Sequence, residues 1–184
     1  MKDRQSAYAL LKDQAYENLK RLILEEVFSP GTYLSERQLA ARLDMSKTPI
    51  RSALARLEAE GFVALRPQQG IVVREPSPHE VVDLFDIRIA LESFVVQALA
   101  GRLNSEQIGQ LQANLEPQAQ AVQAGDAAKY ARLDADFHLL LCEFLANREI
   151  LQVMQGGWDK LYRVVLGLLR TDAERLMISY GEHE

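Results

Sequence analysis

The stretch SKTPIRSALARLEAEGF, residues 46–62, decides the fold of the first part of this chain. Its apolar residues are spaced i, i+3, i+4 and i+7, at Ile50, Ala53, Leu54 and Leu57. This spacing predicts an amphipathic helix that buries one face. Ser46 suits the N-cap of that helix, Pro49 suits its first turn, and Gly61 favours its end.

The polar residues at the start of this helix fall on the face opposite the apolar one. They are Lys47, Thr48, Arg51 and Ser52. A shorter helix is predicted just before them from SERQLAARL, residues 35–43, where Ser35 and Gln38 have capping-box spacing. Two helices joined by a tight turn are typical of a helix-turn-helix, whose second helix enters the major groove of DNA with its N-terminal end. A solvated helix face is the alternative interpretation of the same basic residues.

A hairpin is predicted after this helix. FVALR at residues 62–66 and IVVR at residues 71–74 read as strands, and PQQG joins them. Such a hairpin would form a wing beside the two helices, with Gln69 and Gly70 at its turn. Glycine at that position would let the backbone approach DNA closely.

The prolines of EPSPHE, residues 75–80, indicate a domain boundary. We therefore expect a winged helix-turn-helix domain over residues 1–75, a linker over 76–80 and a second domain over 81–184. The charge is divided in the same way. Residues 1–75 carry a net charge of +2 and residues 76–184 carry −7, which together give the total of −5. This difference suggests that the two parts have different partners.

The second domain reads as helix throughout, so the whole chain is predicted to be mainly α. The predicted helices are 78–102, 105–124, 126–146, 148–172 and a last one that opens near Ser179. Long amphipathic helices with short connections favour an antiparallel bundle. Ser179 and Glu182 have capping-box spacing, yet the sequence stops two residues later. Since one turn of helix has no stability of its own, we expect the bundle to be incomplete at its C-terminus and the chain to be truncated.

Composition excludes several classes of protein. The single cysteine, Cys142, rules out an internal disulfide and fits a reducing, cytoplasmic setting. No apolar run reaches the roughly 18 residues of a membrane span, so we expect no membrane partner. The sequence also lacks an H-E-x-x-H run and a Gly-rich phosphate loop, which argues against an enzyme.

Two polar features of the second domain suggest a ligand site. Asp134 and His138 are four residues apart on a helix face that points partly inward, where a carboxylate and an imidazole could hold a cation. A purely structural Asp–His pair is the alternative. Arg88 shares a face with leucines, and its guanidinium needs a partner there. Glu92, at i+4, could supply that partner, and so could the carboxylate of a bound ligand.

The part of the chain from about Tyr16 to Val73 resembles the winged-helix domain of the GntR family of bacterial transcription regulators. The matching run is PGTYLSERQLAARLDMSKTPIRSALARLEAEGFV, followed by GIVV. The resemblance implies a homodimer on a palindromic DNA operator, acting in the bacterial cytoplasm at the nucleoid. The DNA contacts that it implies are Arg37, Lys47, Thr48, Arg51, Gln69 and Gly70. Lysine at 47 replaces a frequent arginine and favours a phosphate contact over base reading.

The second domain is similar to the FCD effector domain of the FadR-like branch of that family, through EVVDLFDIRIALESFVVQALA, DADFH and His183. The resemblance implies a divalent metal bound by Asp134, His138 and His183, with zinc, nickel, manganese and iron all suitable. It also implies a small organic acid bound near the metal, and Arg88 as an effector-binding residue. The fourth histidine of the family pattern has no counterpart in this sequence.

The sequence thus predicts a ligand-responsive transcription regulator that is not an enzyme. The alternatives are a DNA-binding dimer whose helical domain only dimerises, and a metal-dependent hydrolase acting at Asp134 and His138. Regulation by a ligand requires that the ligand bind the DNA-competent and DNA-incompetent states with different affinities.

Overall fold

The computed structural model describes the backbone of residues 2–183 and the side chains of residues 10–183. The chain forms two compact units, Met1–Glu75 and Pro76–Glu184, which are described separately below. Within the described part of the chain, no helix combines the length and the apolar content that crossing a membrane requires.

The first unit is a small three-helix domain with a three-stranded sheet. Its elements are α1 (Lys2–Leu24), β1 (Tyr33–Leu34), α2 (Glu36–Leu43), α3 (Lys47–Ala59), β2 (Val63–Arg66) and β3 (Gly70–Val73). The sheet has the order β1-β3-β2, and both pairings are antiparallel. The hairpin is the predicted one, whereas β1 was not predicted, because a two-residue strand has no alternating pattern to detect.

The apolar face of residues 46–62 forms the centre of this unit. Every one of its four predicted core residues, Ile50, Ala53, Leu54 and Leu57, is at most 3% exposed. They pack with the buried face of α1 and with the inner residues of β2 and β3. Ser46 occupies the N-cap position of α3, but its side chain makes no capping hydrogen bond.

The second unit is entirely helical within the described residues. Its helices are α4 (Pro78–Leu99), α5 (Ser105–Ala124), α6 (Ala127–Phe144), α7 (Arg148–Thr171) and α8 (Ala173–Gly181). The Ser77 side chain accepts a hydrogen bond from the Glu80 backbone, and the Glu80 carboxylate accepts one from the Ser77 backbone. This capping box fixes the start of α4 at Pro78, the position that the sequence favoured.

The last helix does not open near Ser179, and that prediction was wrong. α8 begins at Ala173 with Asp172 as its N-cap, whose side chain accepts a hydrogen bond from the backbone N–H of Arg175. Ser179 lies inside α8, where its hydroxyl accepts a hydrogen bond from Tyr130 at 3.1 Å. The extended backbone of Asp172 divides α7 from α8, although the helical sequence pattern continues across it.

Candidate functional site

The turn between α2 and α3 places the start of α3 on the surface of the first unit. Asp44 adopts the left-handed conformation, with φ 50° and ψ 47°. Its backbone N–H donates hydrogen bonds to the backbone carbonyls of Ala40 and Ala41. Asp is among the few non-glycine residues that adopt this conformation readily. The chain can therefore leave α2 and enter α3 within three residues.

The side chains expected to contact DNA are exposed around this turn. They are Arg37, Lys47, Thr48 and Arg51. Of these four side chains, Arg51 makes a hydrogen bond within the described residues. Its Nε–H donates to both carboxylate oxygens of Glu36, at 2.9 and 2.8 Å. The surface at the start of α3 is therefore basic overall but includes the carboxylates of Glu36 and Asp44.

The wing carries the two remaining predicted contacts. Gln69 is exposed in the turn between β2 and β3, where its N–H bonds the carbonyl of Arg66 at 3.1 Å. Gly70 has φ +96°, and a Cβ on it would lie 2.7 Å from the backbone oxygen of Leu34 in β1. The absence of a side chain at Gly70 is therefore required by the sheet itself, a role that the sequence did not reveal.

In the second unit, the three predicted metal ligands come together. Asp134 and His138 lie on α6, and His183 lies just after α8. The Nε2 atoms of the two histidines are 3.3 Å apart. Oδ1 of Asp134 is 3.8 Å from Nε2 of His138 and 3.5 Å from Nε2 of His183.

This triangle of atoms has the dimensions of a metal-ligand set. A single point lies about 2.1 Å from all three atoms, which is close to the length of a zinc–imidazole bond. Three protein ligands leave coordination positions open for water or for another ligand.

Two further side chains hold the histidines by their other ring nitrogens. Oε1 of Glu92 lies 3.1 Å from Nδ1 of His138, and Oε1 of Gln118 lies 2.9 Å from Nδ1 of His183. An acceptor at Nδ1 keeps the proton on that atom and leaves the lone pair on Nε2. Gln118 is fully buried and is itself held by Asn114 at 2.6 Å. No sequence signal pointed to Gln118, because it is 65 residues from His183.

Arg88 finds its partner within the unit, as one of the two sequence alternatives proposed. Its Nε donates to Oε1 of Glu92 at 2.8 Å. Its Nη2 donates a hydrogen bond to Nε2 of His138 and lies 4.0 Å from Oδ2 of Asp134. Arg88 therefore reaches the same imidazole lone pair that a metal ion would use.

A cavity of about 320 Å³ adjoins these groups. Its polar lining includes Arg88, Glu92, Asp134, His138, Arg175 and His183, and its apolar lining includes Phe85, Val165 and Leu168. Convergent charged groups in a partly apolar cavity are typical of a site for a small polar ligand.

The protonation states suit metal binding. Burial, aided by the positive charge of Arg88, lowers the pKa of His183 to about 4 and that of His138 well below its usual value. Both imidazoles are therefore neutral at pH 7, which is the form that ligates metals. Burial raises the pKa of Asp134 to about 6, against the opposing effect of Arg88. The carboxylate is still mostly ionised at pH 7.

Comparison with known proteins identifies both units. Residues 11–73 match the family model "Bacterial regulatory proteins, gntR family", and residues 83–184 match the FCD domain. A crystal structure of a putative GntR transcriptional regulator from Rhodococcus sp. RHA1 has a TM-score of 0.75 at 22% identity, over 92% of this chain and 83% of that one. That likeness supports the fold.

Curated relatives agree with this result. The HTH-type transcriptional regulator YdhC of Bacillus subtilis is 30% identical over 81% of this chain and 67% of its own length. The HTH-type transcriptional repressor RspR of Escherichia coli is 33% identical over 72% of this chain and 58% of its own length. The aligned part is thus between about three fifths and two thirds of these relatives. The chain belongs to the GntR family of bacterial transcription regulators, in the FadR-like branch that carries an FCD effector-binding domain.

Proposed function

We propose that this transcription regulator senses a small organic acid together with a divalent metal in its helical unit, and that it binds a palindromic operator as a homodimer. The observation that carries the proposal is the meeting of Asp134, His138 and His183 around one point beside a charged cavity. A regulator that acts on chromosomal DNA works in the cytoplasm, at the nucleoid.

The ligand set fits a first-row divalent ion better than calcium or magnesium. Two neutral imidazoles and one carboxylate are donors that zinc, nickel, manganese and iron(II) accept, whereas magnesium and calcium prefer oxygen ligands alone. When bound, the ion would supply a positive charge with open coordination positions. Glu92 and Gln118 orient the two imidazoles before any ion arrives.

Arg88 couples this ligand set to a carboxylate effector. Its Nε edge is fixed by Glu92, while Nη2 contacts the lone pair of His138. A metal ion and Arg88 compete for that lone pair, so occupancy of the ligand set leaves Nη2 available to another acceptor. A carboxylate in the cavity is such an acceptor, and it would bind most tightly when the metal is present.

The proposal of a homodimer is supported by an apolar face on α4. Val82, Ile89 and Val96 are spaced by seven residues and are each more than half exposed. Residues at this spacing share one side of a helix, and an exposed apolar stripe of this kind is suited to packing against another helix. Two-fold symmetry would give the two winged helices the arrangement that two half-sites require.

Metal analysis tests the sensor directly. The full chain would be stripped with a chelator, reloaded with zinc, nickel, manganese or iron(II), and analysed after gel filtration. We expect one ion per chain in the wild type and in His79→Ala, whose exposed side chain pairs with Asp83. His138→Ala should lose the ion while remaining folded, and an unchanged metal content would refute this ligand set.

A thermal-shift screen of small carboxylic acids separates the sensor from its alternative. In the alternative, the helical unit only holds two copies together and binds neither metal nor acid. We expect at least one acid to raise the melting temperature of the metal-loaded chain more than that of the metal-free chain. Absence of both metal and acid effects would favour the purely dimerising role.

A further inference from the structure

A carboxylate among the side chains expected to meet DNA calls for an explanation. Glu36 lies in the first turn of α2, opposite Arg51 of α3. Phosphate contacts supply much of the affinity of proteins for DNA, and a negative charge at such a surface opposes them. Glu36 must therefore contribute something other than general attraction.

The contact between Glu36 and Arg51 uses one edge of the guanidinium. Both carboxylate oxygens accept from Nε, at 2.9 and 2.8 Å. Within the described residues, neither terminal nitrogen of Arg51 has a hydrogen-bonding partner, and the side chain is 66% exposed. These terminal nitrogens are the groups that pair bidentately with O6 and N7 of guanine.

We infer that Glu36 is a positioning residue for Arg51, holding its guanidinium so that the two terminal nitrogens face a base edge. This inference rests on the proposed docking of α3 into the major groove. An arginine side chain loses on the order of 2 kcal/mol of rotamer entropy when it is fixed. Because Glu36 already holds the Arg51 side chain in the free protein, less of this entropy would be lost when DNA binds. The gain would apply only to contacts that require this one orientation of the guanidinium, such as a bidentate contact with a base.

A structural role for Glu36 is the competing explanation. A carboxylate in the first turn interacts favourably with the helix dipole. However, Ser35 and Gln38 already form a complete capping box at this end of α2. An exposed ion pair contributes little stability, typically 0–1 kcal/mol. A structural role would change thermal stability and would leave the choice of DNA sequence unaffected.

The test compares affinities for two duplexes of equal length. One is selected from a random-sequence library by binding to the full wild-type chain, and the other is an unselected random-sequence duplex. Glu36→Ala should lower the ratio of the two affinities roughly tenfold, a part of the 1–3 kcal/mol that a bidentate base contact contributes. Affinity for the unselected duplex should stay the same or rise, because a negative charge has been removed.

Asp44→Asn is the matched control for that charge. Asp44 is exposed at the other end of α2, in the turn that leads into α3, and asparagine also adopts its left-handed conformation. We expect this variant to leave the affinity ratio unchanged. If Glu36→Ala behaved in the same way, with both affinities shifted equally and the ratio kept, Glu36 would act through charge alone and the inference would be overturned.

A double-mutant cycle separates failure of this inference from failure of the proposed interface. Arg51→Ala should lower the ratio, and adding Glu36→Ala to it should lower the ratio no further. If Arg51→Ala left the ratio unchanged, Arg51 would not read bases and the interface itself would be wrong. Suppose instead that Arg51→Ala lowered the affinity ratio, and that Glu36→Ala lowered the ratio by the same factor in the wild type and in the Arg51→Ala chain. The two residues would then act independently, and the positioning role of Glu36 would be refuted.

Discussion

Nε2 of His138 lies 3.3 Å from Nε2 of His183, although 45 residues separate them in the chain. Each imidazole has an acceptor at Nδ1, so two lone pairs point into the same small space. Such an arrangement is unfavourable unless positive charge or a donor lies nearby, and Arg88 offers one to His138. The geometry of the pair is therefore one that a bound cation would stabilise, as the proposed ligand set requires.

Replacing Gln118 should weaken metal binding although Gln118 is not a ligand. Gln118→Met keeps most of the side-chain volume but removes the acceptor that fixes Nδ1 of His183. Loss of such an orienting hydrogen bond typically costs 10–100-fold in metal affinity. Competition with a chromogenic chelator would measure this change. Gln112→Met, at an exposed position of the same helix, is the control and should bind metal as the wild type does.

A charge on the apolar face of α4 should convert the proposed dimer into a monomer. Val96→Glu places a carboxylate in the stripe formed with Val82 and Ile89, where a second copy would have to bury it. Sedimentation velocity at micromolar concentration would measure the association state. The neighbouring Gln97→Glu adds the same charge at another exposed position and should remain dimeric. Equal effects of the two variants would place the interface elsewhere.

The metal-free helical unit should lose stability as the pH falls from about 6.5 to about 4. The folded pKa of His183 is about 4, below the ordinary histidine value of 6.5, so the unfolded state binds more protons across this window. His138 acts in the same direction. Asp134 acts in the opposite direction, because its folded pKa of about 6 exceeds the ordinary aspartate value of 3.8. Glu92 and Asp136 act in the same direction as Asp134, because burial raises the pKa of each carboxyl. We expect the two histidines to outweigh these carboxylates, because the pKa of His138 lies well below its usual value.

Urea denaturation at several pH values would measure this dependence. Trp158 is the only tryptophan of the chain and is buried in α7, so its fluorescence reports on the helical unit. His183→Gln should flatten the fall in the free energy of unfolding between pH 6.5 and 4. His79→Gln should not, because His79 is exposed. A His183→Gln profile identical to that of the wild type would contradict the assignment of a neutral buried imidazole at His183.

Gly70→Ala should destabilise the first unit and thereby weaken DNA binding. The added Cβ would lie 2.7 Å from the backbone oxygen of Leu34, and alanine would also have to adopt φ +96°. Strain of this kind costs about 1–3 kcal/mol. Gly31→Ala is the control, since Gly31 has φ +78° but open space around its Cα. Hydrogen exchange of the backbone amides of β1 and β3 would detect the difference, and equal protection in the two variants would argue against the clash.

Local sequence patterns predicted the parts of the fold that depend on near neighbours. The apolar spacing of α3, the capping box at Ser35 and the start of α4 at Pro78 each involve residues within a few positions, and the structure contains all of them. The start of α8 was missed because one residue, Asp172, interrupts an otherwise continuous helical pattern. A single extended residue leaves little trace in the hydrophobic periodicity.

The surroundings of the ligand set were beyond such reasoning. The spacing of Asp134 and His138 indicated one pair of groups on one helix, and the resemblance added His183. The contacts of Gln118 with His183, and of Arg88 with His138, join residues 65 and 50 positions apart. Only the packing of α4, α5 and α8 around α6 brings them together, and that packing is a property of the whole bundle.

α8 has nine residues and buries one side chain, Leu176. So short a helix has little tendency to form in isolation. Its position depends on contacts with α5 and α7, and His183 adds a link from the turn that follows it. An ion that joined His183 to Asp134 and His138 would fasten this segment to α6. Protease sensitivity between α7 and α8 would then report whether the site is filled, so that the signal of the sensor would be the docking of one short helix.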